Sequence, residues 1–184
     1  MKIKNKIESM ALIRELGCNH LPEIFLPKFD REKIQNFLDN TRAEIYIVRD
    51  RAVAASPKAK DLKPDEVIDY CESNMDKFSV CVSQYNYRKY QVCVGEIHIH
   101  GDTIDYIVSN NPELNIRNML GCPDYNGTTD IFDKKLRRIP GMDEIICYIM
   151  EHNLVDIIVE FTVFNQPVGI KNEKICIWEL RTDY

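Results

Sequence analysis

The chain has 184 residues, a one-domain length, and its 45% hydrophobic and 29% charged content is that of a soluble globular protein with a sizeable core. No apolar run approaches the roughly 18 residues that a membrane helix needs, and the basic start Met1-Lys-Ile-Lys-Asn-Lys6 leads into Glu8, Arg14 and Glu15 instead of a signal-peptide core. A net charge of −5 argues against a nucleic-acid partner.

An apolar stripe through Ile7, Met10, Ala11, Ile13 (or Arg14) and Leu16 predicts a helix over residues 7–17, with Gly17 as its stop. A loop containing Pro22 and Pro27 follows. Asp30 is placed to cap a helix over 31–40, whose apolar positions are Ile34, Phe37 and Leu38. Residues 44–50 read as a strand and 51–63 as a loop with Pro57 and three lysines. Pro64-Asp65 opens a short helix to about residue 73. Strands are expected at 78–84, 91–99 and 103–109, the last two joined by a turn at His100-Gly101-Asp102. A helical piece is expected after Pro112, an Asp/Asn/Gly-rich loop at 123–129 and a helix at 142–153. Two final strands, 156–163 and 174–181, flank a turn at 165–169. Helices mixed with antiparallel hairpins predict a single α+β domain over 1–184 with a mainly antiparallel sheet.

The seven cysteines (18, 71, 81, 93, 122, 147 and 176) contain no Cys-x-x-Cys. Most sit in apolar settings, which reads as reduced, core-filling cysteine in a cytoplasm. Charge is uneven: residues 1–60 hold 12 basic and 8 acidic groups, residues 61–184 hold 12 basic and 21 acidic. A positive first third helps hold an anion; it is equally the pattern of a solvated face.

Charges inside apolar strands are the strongest pointer to function, because a charge among buried neighbours is costly unless something pairs with it. Arg49 ends Ile45-Tyr-Ile-Val-Arg49, Glu160 sits in 155–163, and Glu179 and Arg181 sit in 175–181. Glu179 and Arg181 are two apart and so share a sheet face. The four charges fit either one shared polar site for a charged ligand or a set of structural salt bridges. Glu96-x-His98-x-His100 places a carboxylate and two imidazoles on one strand face, a pattern suited to metal or to a polar outer face. The basic run Lys134-Lys-Leu-Arg-Arg138 lacks interleaved aromatics, and Tyr85, Tyr87 and Tyr90 beside Arg88 and Lys89 more simply cover a hairpin turn than stack a base. Gly-x-Ser-x-Gly, His-Glu-x-x-His, Walker A and Gly-x-Gly-x-x-Gly are absent, which disfavours the commonest hydrolases, zincins, P-loop enzymes and dinucleotide folds.

Four pieces, in order, resemble the nucleotide-binding domain of the phosphoenolpyruvate synthase and pyruvate, phosphate dikinase family, which has an ATP-grasp-like fold. They are Lys6 to Gly17 followed by Pro22, Tyr46 to Ser56 with Arg49, Val159-Glu160-Phe161, and Ile177-Trp-Glu179-Leu-Arg181. The chain departs from the family at Asn5 and Ile7, where glycines flank the lysine, at Asp50 and Arg51, where serines stand, and at Glu179, where a glutamine stands. The resemblance implies ATP as ligand, with Lys6, Arg49 and Arg181 on phosphate and Glu160 and Glu179 on Mg²⁺. It implies an ATP-dependent phosphotransferase or ligase acting on a small-molecule or protein acceptor. Two other readings stand beside it: a binding or scaffold module that keeps only the fold, favoured by the lost glycines, and a metal protein centred on His98 and His100.

Overall fold

The computed structural model describes residues 3, 6–50, 60–74, 80–84, 90–111 and 123–182. Of the loop expected over 51–63, residues 51–59 lie outside these residues, as do the helical piece after Pro112 and the tyrosines at 85 and 87; residues 60–62 are a strand instead, because they pair with 46–48. The chain divides into two compact units, one drawn from Met1–Lys4, Glu8–His20 and Tyr87–Tyr184, the other from Asn5–Ile7 and Leu21–Asn86. Each carries its own antiparallel sheet with helices packed on it, so the predicted α+β class holds.

The second unit contains β1 (Glu23–Leu26), α2 (Arg31–Thr41), β2 (Tyr46–Asp50), β3 (Lys60–Leu62), α3 (Pro64–Asn74) and β4 (Val80–Gln84), with α1 (Lys6–Glu15) starting before it in the chain. Its sheet order is β1-β4-β2-β3. Asp30 caps α2 as expected, its carboxylate accepting from the Lys33 amide at 3.0 Å. Ile34, Phe37 and Leu38 of α2, Val67 and Cys71 of α3, and Leu26, Tyr46, Val48 and Leu62 of the strands make the core. Strand β1 stands where a loop was expected: Glu23-Ile-Phe-Leu26 is short and bracketed by prolines, but it is extended and pairs with β4.

The first unit holds most of α1, β5 (Gln91–His100), β6 (Thr103–Ser109), β7 (Tyr125–Asp130), α4 (Met142–Glu151), β8 (Ile158–Val168) and β9 (Glu173–Arg181). Sheet order is β7-β6-β5-β8-β9, every neighbour antiparallel. β7 replaces the loop expected at 123–129; its turn-like composition is tolerated because the strand pairs on one side only, along β6. β8 runs on through the turn expected at 165–169, and the turn falls after Val168 instead. Pro167 is accommodated because the β8–β9 ladder is interrupted between Val163 and Val168.

One face of this sheet is apolar and packs on the helices. Ile97, Ile99, Ile104, Val108, Val159, Phe161, Val163, Ile175, Ile177 and Leu180 meet Leu12 and Ile13 of α1 and Met142, Ile145, Tyr148 and Ile149 of α4. Gly95 belongs to this face, and only glycine fits: an added Cβ would lie 2.7 Å from the Ile107 carbonyl oxygen and 3.0 Å from Phe161. The segment after α1 covers the β9 edge. The Ile177 amide donates to the Asn19 carbonyl at 2.9 Å. The buried Asn19 side chain donates to the carbonyls of Val168 (3.0 Å) and Ile175 (2.7 Å) and accepts from the Lys171 amide (2.9 Å). A sheet edge that would otherwise be open is thereby closed by the chain itself.

Candidate functional site

The other face of the five-stranded sheet carries a cluster of charged side chains alongside buried apolar residues such as Val94 and Ile158. Strict alternation along β5 sends Glu96, His98 and His100 to it while Ile97 and Ile99 face the core. On β8 the same alternation gives Glu160 to this face and Val159 and Phe161 to the core.

On β9 alternation alone would fail, because Ile175, Ile177, Glu179 and Arg181 all carry odd numbers. The ladder resolves this with one extra residue. Phe161 pairs with Ile177 but Glu160 pairs with Glu179, so Trp178 is a β-bulge. Beyond it Leu180 takes the core side and Glu179 and Arg181 turn to the opposite side. Trp178 is held by its indole N–H, which donates to Thr162 Oγ1 at 2.7 Å.

The consequence is a row of three carboxylates. Glu96 is register partner of Glu160, and Glu160 of Glu179, across β5, β8 and β9. Directly opposed side chains in an antiparallel sheet are neighbours, and like charges there repel. Arg181 crosses the row: its guanidinium forms a hydrogen-bonded ion pair with Glu96, two strands away. Glu96 is the most enclosed partner, its side chain 14% exposed against 33% for Arg181. Burial pushes the Glu96 carboxyl above the ordinary glutamate range; Arg181 opposes this and the charge of Glu179 adds to it. Arg181 Nε is buried and has no hydrogen-bond partner. The site therefore presents clustered oxygen ligands and a partly exposed guanidinium. That chemistry suits a hard dication and a phosphate oxygen.

Of the residues expected to act together, Glu160, Glu179 and Arg181 share one face of the first unit. Lys6, the first residue of α1, and Arg49, which pairs in register with Cys81 on β4, are assigned to the second unit. Lys6 begins a helix, not a glycine-rich turn. Glu96 was read from the sequence only as a companion of His98; its ion pair with Arg181 spans 85 positions and no local signal announces it.

Next to the row, His98 and His100 lie opposite Asp105 and Thr103 on β6. Asp105 Oδ2 is 2.9 Å from His100 Nε2 and 3.8 Å from His98 Nδ1. Of this trio Asp105 was not foreseen, because only the hairpin register brings it to the imidazoles.

No protein-family model matches the chain, and no curated protein matches it in sequence. Solved structures match its fold. The ADP complex of an N5-carboxyaminoimidazole ribonucleotide synthetase has a TM-score of 0.58 at 10% identity, over 100% of this chain and 45% of that one. A macrocyclase from Microcystis aeruginosa, bound with a precursor peptide, has a TM-score of 0.56 at 12% identity, over 97% and 53%. A RiPP-associated ATP-grasp ligase from Chryseobacterium gregarium, in complex with ADP and a leader and core peptide, has a TM-score of 0.55 at 10% identity, over 94% and 50%. The chain thus spans about half the length of the structures it matches. The fold is ATP-grasp-like, in the broad sense shared by these ligases and synthetases. This corrects the narrower sequence resemblance: the likeness is not specifically to the phosphoenolpyruvate synthase and pyruvate, phosphate dikinase family. Among the described residues no helix is long and apolar enough to cross a membrane.

Proposed function

We propose that residues 1–184 act as one ATP-binding domain of ATP-grasp type, serving an ATP-dependent ligase or phosphotransferase. The observation that carries this is the in-register row Glu96–Glu160–Glu179 with Arg181 laid across it. Directly opposed carboxylates repel, Arg181 offsets part of that repulsion, and clustered oxygen ligands suit Mg²⁺. Glu160 and Glu179 would hold the ion, which when bound neutralises phosphate oxygens. Arg181, a third exposed, would bind and orient phosphate through its guanidinium, while Glu96 holds that group in place. Lys6 and Arg49 are assigned to phosphate on the sequence resemblance. Positioning and charge neutralisation are most of what phosphoryl transfer asks of a protein. The acceptor is a peptide or a small molecule; two of the matched structures hold peptides.

The test is nucleotide binding with and without Mg²⁺, read by thermal melts and by the fluorescence of Trp178, the chain's one tryptophan. A ligand at 100 times its dissociation constant adds about 2.7 kcal/mol of stability. Glu160→Gln and Glu179→Gln should weaken Mg²⁺-dependent binding while sparing metal-free binding. Arg181→Ala should weaken both. Absence of any shift with ATP and Mg²⁺ at millimolar concentration refutes ATP binding and leaves the scaffold reading, which the helical setting of Lys6 favours.

A further inference from the structure

The hairpin β5–β6 carries a second cluster whose ligand chemistry differs from that of the carboxylate row. We infer that His98, His100 and Asp105 form a binding site for a Zn²⁺-class divalent ion, separate from the Mg²⁺ site and open to solvent at one coordination position.

The site is built by strand geometry. His98 and His100 share a face because they are two apart on β5, and the register sets Asp105 opposite His98. That register is fixed by the two-residue turn Gly101-Asp102, in which Gly101 takes φ +57°, a conformation natural to glycine. The three ligand atoms lie within 4.8 Å of one another. A tetrahedral zinc with bonds of 2.0–2.1 Å needs its ligands about 3.3 Å apart. The 2.9 and 3.8 Å separations about Asp105 Oδ2 already bracket that value.

The outer contacts match a metal site as well. Thr128 Oγ1, on β7, donates to Asp105 Oδ1 at 2.5 Å. This fixes the carboxylate and leaves Oδ2 directed to the imidazoles, as the hydrogen-bonded supports of metal ligands do. Side-chain exposures of 22% for His98, 42% for His100 and 31% for Asp105 leave a path for an ion. A pocket of about 250 Å³ opens beside them, lined by Glu96, His98, Asp105, Asn126, Gly127 and Thr128. Two imidazoles with one carboxylate form a borderline-soft set that suits zinc, whereas the all-oxygen row suits magnesium.

The experiment uses the full chain, stripped with chelator and titrated with Zn²⁺ alone and then Co²⁺ alone, with no nucleotide. Expected is one more metal ion retained per chain by the wild type than by the His98→Gln/His100→Gln variant. The imidazole NMR signals of His98 and His100 should shift with Zn²⁺. Thr128→Val should bind about tenfold more weakly, having lost the support of Asp105. Glu160→Gln should bind Zn²⁺ like the wild type even if ATP binding fails, so the two readings fail separately. Should the double variant not fold, Asp105→Asn supplies the same comparison. Equal retention by wild type and ligand variants, Co²⁺ spectra dominated by thiolate, or no metal held at ten micromolar Zn²⁺ would each overturn the site.

Discussion

Replacing Arg181 by Met removes the guanidinium and keeps most of its apolar length. What remains is Glu96, 14% exposed, with Glu160 opposite it and the charge of Glu179 pressing on it. Removing one partner of a fully buried pair costs about 3–5 kcal/mol, whereas exposed pairs contribute about 0–1 kcal/mol. With one partner largely enclosed and the other a third exposed, the expected loss is about 2 kcal/mol, or roughly 4–8 °C in melting temperature for a chain of this length. The loss should depend on pH with a definite sign. A glutamate whose folded-state pKa is raised contributes stability that is present below its unfolded value, about 4.3, and is lost as pH rises through the folded value. Arg181 is what opposes that rise, so without it the folded value moves higher still. The deficit of Arg181→Met should therefore be small near pH 5 and full at pH 8. Adding Glu96→Gln removes the stranded charge and should restore about 1–2 kcal/mol at pH 8, a coupling expected of residues in contact. Urea unfolding at the two pH values measures all three variants. A deficit equal at both pH values, or a double variant no more stable than Arg181→Met, would refute the account of the row.

Three further outcomes follow from the fold. Asn19→Ala strands the amide and two carbonyls that its side chain satisfies beside β9, and should cost about 2–4 kcal/mol in denaturant unfolding. Gly95→Ala drives a methyl into the Ile107 carbonyl and Phe161 and should cost about 1–3 kcal/mol by the same measurement. Asp30 is held below the usual aspartate range, chiefly by the Lys33 amide, so its capping contribution is present above the unfolded pKa and lost as pH falls through the folded one. Asp30→Ala should thus melt below the wild type at pH 7, with the gap closing in strong acid, while Asp30→Asn keeps the cap.

Sequence made the helices legible because each carries its own signals: the Asp30 cap, the Pro64 start and the apolar spacing in 142–153 all act within a few residues. Strands were legible where alternation or an apolar run was strong. They were missed where pairing, not composition, made the strand: β1 between its prolines, β3 in the expected loop, and β7, spelled Tyr-Asn-Gly-Thr-Thr-Asp. The site divided along the same line. Glu160, Glu179 and Arg181 stood out because a charge in an apolar strand needs an explanation. Glu96 as the partner of Arg181, Asp105 beside His100 and Thr128 behind Asp105 are products of register between strands distant in sequence, and no window of sequence contains them together.

The bulge at Trp178 shifts the parity by which β9 is sorted into its two media. Upstream of it odd positions are greasy and inward; downstream the odd positions are ionic and outward. Exchanging Trp178 for another residue keeps this parity. Deleting it would leave Ile177 and Leu180 inward and Glu179 and Arg181 outward on plain alternation, so the bulge and its tie to Thr162 would be lost while the facing of the charges is kept. What the extra residue sets is the bend of the charged end of the strand, since a bulge adds local twist that re-aims the side chains beyond it.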